Sequence, residues 1–152
     1  MNLTLANRVA KIKPSFTLQM ATIAADMISQ GKDVINFSVG EPDFNTPKHI
    51  IDAAKKAMDD GFTKYTSGAG MLELREAICK KLNRENKINY NPSDVLVSNG
   101  EKQSLSTACQ ALFEKGDNVI VFKPYWVSFP EFIRLSDSNP ILVETLSDQN
   151  FE

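Results

Sequence analysis

The sequence has little of what most directly marks a reactive site. It holds one histidine, one tryptophan and two cysteines in 152 residues. Cys79 and Cys109 stand singly on expected helix faces, without metal-ligand spacing, which excludes a zinc site and leaves two small core residues in a reducing compartment. His49 opens a polar helix start, where a surface histidine is the expectation rather than a catalytic one. No apolar run approaches the ~20 residues that cross a bilayer, and the first residues lack the apolar core of a secretion signal. Together these absences argue a cytoplasmic protein with no membrane partner. The formal net charge is -2, so nothing electrostatic draws the chain to nucleic acid or to an acidic surface. No internal repeat or low-complexity segment is present. What remains is a globular composition, 42% hydrophobic and 24% charged, long enough for one domain with a sizeable core.

The segment from Asp94 to Gln103 organises the rest. Asp94 to Ser98 is apolar and β-branched, as a buried strand should be. From Lys102 the apolar positions fall at Leu105, Ala108, Cys109, Leu112 and Phe113, one face of a helix. The turn at Gly100 therefore directs a helix N-terminus beyond a strand's C-terminal end. The first amides of a helix lack intrahelical acceptors, and the dipole there is positive, so an anion such as phosphate suits the spot. One glycine makes neither the dinucleotide fingerprint nor a nucleotide P-loop. An ordinary strand–loop–helix corner has the same pattern, and the remaining contacts must come from elsewhere.

Other elements follow in order. Phe16 to Gln30 predicts a helix stopped by Gly31, and Asp33 to Val39 a short strand. Gly40 to Pro47 is a loop, with Thr46 capping the next helix and Pro47 at its first position. That helix ends at Gly61. Lys64 to Gly70 is a second glycine-bearing loop, and Met71 to Lys87 is amphipathic. Asn118 to Phe122 predicts a second buried strand, Val127 to Ser136 a helix with Pro130 in its first turn, and Ile141 to Leu146 a third strand. Strand, helix, strand, helix, strand argues a parallel sheet. Ligands sit outside the C-terminal strand ends of such sheets. The Gly100 turn and the Tyr125–Trp126 loop both lie there, which suggests a phosphate at one and a flat ring against the other. A strand so close to the last residue also suggests the front portion of a longer fold, with an open edge prone to aggregation.

Several stretches together are recognisable. They are Arg8–Ser15 (R-V-A-K-I-K-P-S), Gly40–Phe44 (G-E-P-D-F) with Thr46-Pro47, Lys64-Tyr65, Gly70 with Glu73–Ala77 (E-L-R-E-A), Asn99–Gln103 (N-G-E-K-Q) and Pro124–Val127 (P-Y-W-V). In this order they resemble the N-terminal portion of the class I aminotransferases of the aspartate type, in the bacterial subgroup with the P-Y-W-V loop. The resemblance implies an α/β fold: the N-terminal part of the fold type I pyridoxal-phosphate-dependent transferase fold, an incomplete parallel or mixed sheet with helices on both faces. It implies an N-terminal arm over residues 1–15, part of the small domain over 16–45 and the first part of the large cofactor-binding domain over 46–152.

The resemblance also implies roles. The cofactor is pyridoxal 5′-phosphate, used to transfer an amino group from an aspartate- or glutamate-type amino acid to a 2-oxo acid. Backbone amides of Gly100, Glu101 and Lys102 would hold its phosphate, with the Glu101 carboxylate turned outward. Trp126 would stack on the pyridine ring. Tyr65 would reach the phosphate of the other subunit of a homodimer. Gly40 would lie against the substrate's α-carboxylate, and Lys13 near a distal carboxylate such as that of prephenate. No catalytic residue and no metal ligand falls in the matched motifs. The Schiff-base lysine and the substrate-binding arginine fall later in the family pattern, so the 152 residues are expected to be an inactive fragment of the parent enzyme. Two other readings stay open: a shortened, non-catalytic paralogue that pairs with a full-length subunit, and a fragment of another fold type I enzyme such as a carbon–sulfur lyase.

Overall fold

The computed structural model describes residues 4–151. The first residues of the expected arm, Met1, Asn2 and Leu3, and the terminal Glu152 lie outside the described residues. The chain divides into two compact units: residues up to Gly40 together with those from Glu101 onward, and Glu41–Gly100.

The first unit contains a parallel β–α–β core. Strand β1 (Asn118–Phe122) and strand β2 (Asn139–Val143) pair in parallel, with Val119 opposite Pro140 and Val121 opposite Leu142. A parallel pair needs a crossover, supplied here by α6 (Phe129–Leu135), with Pro130 in its first turn as its sequence demands. Val121 of β1 and Ile133 of α6 are buried, as is Ser138, whose hydroxyl donates to the Glu114 carbonyl at 3.0 Å. Helix α5 (Gly100–Leu112) precedes β1. Leu105, Cys109 and Phe113 share a cleft of about 370 Å³ with Val121, Phe129 and Ile133. A single turn α1 (Asn7–Ala10) and helix α2 (Phe16–Ser29) lead the unit. Ser15 caps α2 by accepting from the Leu18 amide, and Gly31 at φ +77° lets the chain leave it.

The second unit is helical. Helix α3 (Lys48–Asp59) and helix α4 (Leu72–Lys81) are joined by the Tyr65 loop, and a π-turn over Leu82–Asn86 prolongs α4 until Lys87 turns left-handed. A 3₁₀ turn, Pro92–Asp94, then starts the segment that reaches Gly100. Gly70 has φ +96°, and a Cβ added there would lie 2.7 Å from the Val97 Cβ. The Val97 amide donates to the Ala69 carbonyl at 3.0 Å beside it.

Four expectations need correction. Val95 has extended dihedrals, but Asp94 to Ser98 forms no strand, and Leu96 is 65% exposed. Asp33 to Val39 forms none either, with Phe37 91% exposed. Both have strand composition, but a strand exists only where a second segment offers a ladder. Among the described residues the one ladder is β1 with β2. The third expected strand runs Asn139–Val143 rather than Ile141–Leu146: it starts earlier because Pro140 is tolerated at a sheet edge where one missing donor costs little, and it ends where its partner β1 ends, Phe122 facing Val143. Finally, Pro47 rather than Thr46 occupies the cap position of α3, with no side-chain cap bond, and the first turn is instead braced by Lys48–Asp52 at 2.7 Å.

The close approach at Gly70 sets a measurable contrast. Gly70→Ala meets both a left-handed backbone and the Val97 side chain, and should cost about 1–3 kcal/mol in urea unfolding. Gly40→Ala meets nothing within 4 Å and should stay within about 0.5 kcal/mol of the parent chain.

Candidate active site

Phe122 ends β1, and the chain turns through Lys123 to Ser128 before α6 begins. This loop is held by backbone and side chain at its first residue. The Lys123 amide donates to the Val143 carbonyl at 2.9 Å, and the Thr145 hydroxyl donates to the Lys123 carbonyl. The Lys123 ammonium meets the Glu144 carboxylate at 2.9 Å. That hydrogen bond, and then the charge behind it, raises the Lys123 pKa above the ordinary lysine value. Trp126 follows three residues later. Phe129 packs edge-on against its ring at 5.6 Å and Phe132 at 6.0 Å, both from α6. The indole is thus gripped by aromatic edges while 37% of the residue stays exposed.

The start of α5 comes to the same place. Gly100 has φ +79°, a conformation that only glycine adopts at no steric cost, and its amide donates to the Ser98 carbonyl at 2.8 Å. No atom lies within 4 Å of where a Cβ would stand. Glu101 is exposed in the first turn. Lys102 places its ammonium 5.2 Å from the Trp126 ring centroid, within cation–π range. A helix start, a positive charge and an aromatic plate therefore converge, a combination able to take an anionic group and a flat ring together.

Other expected residues take different places. Lys13 is exposed, its amide donating to Glu131 at 3.2 Å. It lines a recess with Ser15, Val127, Ser128 and Phe132, directly after Trp126 in the chain. Gly40 is exposed at the end of the first unit's leading segment. Tyr65, in the second unit, is fully exposed beside a recess lined by Phe62, Lys64 and Met71. His49 is exposed. Cys79 and Cys109 are free thiols, both half-buried, and burial raises the Cys109 pKa. Sequence reasoning missed the grip on Trp126, although the W-x-x-F-x-x-F spacing of Trp126, Phe129 and Phe132 carried the signal. It also missed the contacts of Arg75 on α4, whose guanidinium donates to the Gly70 and Pro92 carbonyls, acceptors that leave no mark in composition.

The chain resembles known proteins over nearly its whole length. The family model described as "Aminotransferase class I and II" matches residues 32–152. An aspartate aminotransferase of Geobacillus stearothermophilus is 47% identical over 97% of this chain and 38% of its own length. An aspartate/prephenate aminotransferase of Nitrosomonas europaea is 43% identical over 97% of this chain and 37% of its own. The structure of Thermus thermophilus aspartate aminotransferase with maleate superposes with a TM-score of 0.94 at 42% identity, covering 99% of this chain and 39% of that one. Over the matched residues the solved neighbours have the same α/β architecture, so this chain is a partial fold type I transferase fold, as read from the sequence. The chain thus spans less than two-fifths of the length of these relatives.

Two measurements test the local geometry. Glu144→Gln should return Lys123 to the ordinary lysine range in an NMR titration of its side chain. In the parent chain the folded pKa lies above the unfolded one. The pair's contribution is therefore complete below the unfolded lysine pKa and fades as pH rises through the folded one. Lys102→Met should change the emission of the sole tryptophan, because it removes the cation over the ring; an unchanged spectrum contradicts the contact.

Proposed function

The chain belongs to the class I and II aminotransferases, and on that premise we propose that it forms the front of an aspartate-type transaminase site. The observation that carries the reading is the approach of Lys102, in the first turn of α5, to the exposed ring of Trp126. The residues fit pyridoxal 5′-phosphate. The turn at Gly100 leaves open space for a close approach, the helix start favours a phosphate dianion, and the gripped indole offers a stacking face. When bound, that cofactor supplies the electron sink that lets the α-proton of an amino acid leave.

This chain's own residues do the holding. The amides of Glu101 and Lys102 take the phosphate. The amide of Gly100 joins them while also bonded to the Ser98 carbonyl, and its backbone provides the approach. Trp126 fixes the plane of the ring and shields one side of it from water. Gly40, lacking a side chain, leaves room for the substrate's α-carboxylate. Lys13, in the recess beyond Trp126, attracts a second carboxylate, as a dicarboxylic amino acid or prephenate would present. Tyr65, fully exposed on its loop, extends to the phosphate of a second subunit in a homodimer. In this reading residues 1–15 are an arm, 16–45 part of a small domain and 46–152 the first part of a large one, in a cytoplasmic enzyme of amino-acid metabolism and biosynthesis.

The 152 residues carry the binding half of the site and, in this reading, neither the lysine that bonds the cofactor nor the arginine fork for the substrate. Titration with pyridoxine 5′-phosphate, which has no aldehyde, should quench Trp126 emission saturably, and Trp126→Leu should weaken binding by about tenfold, the loss expected of one stacking contact of about 1.4 kcal/mol. Treatment of the chain with pyridoxal 5′-phosphate and borohydride should label its lysines diffusely. One dominant labelled lysine would place the reactive amine inside these residues and defeat that part of the reading. With aspartate and 2-oxoglutarate the chain alone should give no turnover.

A further inference from the structure

Arg75 lies outside every role assigned above, yet it joins the two segments of the second unit that carry site residues. It stands on α4 with its guanidinium half-buried. Nε donates to the Gly70 carbonyl at 3.2 Å, and Nη1 donates to the Pro92 carbonyl at 2.8 Å. Gly70 ends the loop that carries Tyr65. Pro92 opens the segment that runs to the Gly100 turn. Each acceptor is itself fixed. The Gly70 amide donates to the Ser67 carbonyl at 2.9 Å. Pro92 sits in a turn locked by the Asn91 amide donating to the Asp94 carboxylate at 2.9 Å. Beside the arginine the two segments touch directly. Val97 donates to the Ala69 carbonyl, and its side chain fills the space that a Cβ at Gly70 would need.

We propose that Arg75 is a positioning residue for the phosphate cradle: its fork fixes the segment entering the Gly100 turn against the Tyr65 loop, and so sets where the turn presents its amides. A planar guanidinium can serve two carbonyls at a fixed separation in a way that one ammonium cannot. The bonds are partly shielded from water, so their loss is not simply replaced by solvent. Arg75 acts through backbone and touches no ligand. The inference rests on the reading of Gly100 to Lys102 as a phosphate site.

The test compares two ligands that differ only in phosphate. Calorimetry gives dissociation constants for pyridoxine 5′-phosphate and for pyridoxine on the parent chain, Arg75→Lys and Arg75→Gln. The parent should prefer the phosphorylated ligand. Arg75→Gln should cut that preference at least fivefold while leaving pyridoxine binding nearly unchanged, and Arg75→Lys should recover only part of it. A preference unchanged in Arg75→Gln overturns the inference, as does an equal loss for both ligands, which marks a merely structural role. A parent chain without any preference defeats the phosphate reading itself, a separate result. If Arg75→Gln does not fold, hydrogen exchange on the parent chain decides. The Val97 and Gly70 amides should gain protection with pyridoxine 5′-phosphate and not with pyridoxine; equal protection by both overturns the inference.

Discussion

The parallel pairing of β1 with β2 is the constraint on which the first unit hangs. The ladder between Asn118–Phe122 and Asn139–Val143 is continued beyond both ends. At its entrance the Asn139 amide donates to the Asp117 carbonyl at 2.8 Å, and the buried Ser138 hydroxyl is satisfied by Glu114. At its exit Lys123 and Thr145 tie the outgoing loop back to β2. Because the strands are parallel, the chain must cross over between them, and α6 is that crossing. The same helix buries Ile133 against the sheet and sends Phe129 and Phe132 to the edge of Trp126. The indole is therefore presented by a loop fixed at one foot by the sheet and at the other by the helix that the sheet requires.

That core is thin. Ala24, Val121, Pro130 and Ile133 are the buried apolar residues among those described, while Ile120 and Phe122 of the same strand as Val121 are 60% and 62% exposed. Side chains alternate along a strand, so β1 buries Val121 on one face and leaves its neighbours on the other. Parallel strands are ordinarily covered on both faces. The cleft beneath α5 fits the same picture. It is apolar enough to hold the Cys109 thiol above its ordinary pKa although the residue is only half-buried.

What could be read in advance followed from locality. Helix α2 ends where Gly31 permits, β1 is a continuous apolar run, α6 takes Pro130 in its first turn, and the β–α–β spacing implied parallel strands. Lys102 of α5 does approach the Trp126 ring, but the expectation rested on two C-terminal strand ends, and the strand expected before Gly100 is not formed. The failures were non-local. Asp33–Val39 and Asp94–Ser98 have strand composition, but a ladder partner is a property of another segment. Arg75 was invisible for a related reason: its acceptors are carbonyls of Gly70 and Pro92, which every residue possesses. The motif resemblance located Glu73–Ala77 without saying what the arginine inside it does.

The charges at the start of α5 bear on the phosphate site proposed there. Glu101 in the first turn stabilises the helix by facing the positive end of its dipole. The same carboxylate repels an incoming anion. Lys102, exposed and with its ammonium 5.2 Å from the indole ring centroid, offsets it. The two side chains together bring no net charge, so a phosphate gains little from them as a pair. In the proposed reading its recognition comes from the direction of the backbone amides and from the space left above Gly100. Amides can be directed only by the segments that lead into them, which makes the geometry behind the turn matter more than the charge in front of it. The stacking face contributes the rest. An anion alone would find this helix start no better than many others, whereas one joined to an aromatic ring finds both halves of its shape met at once.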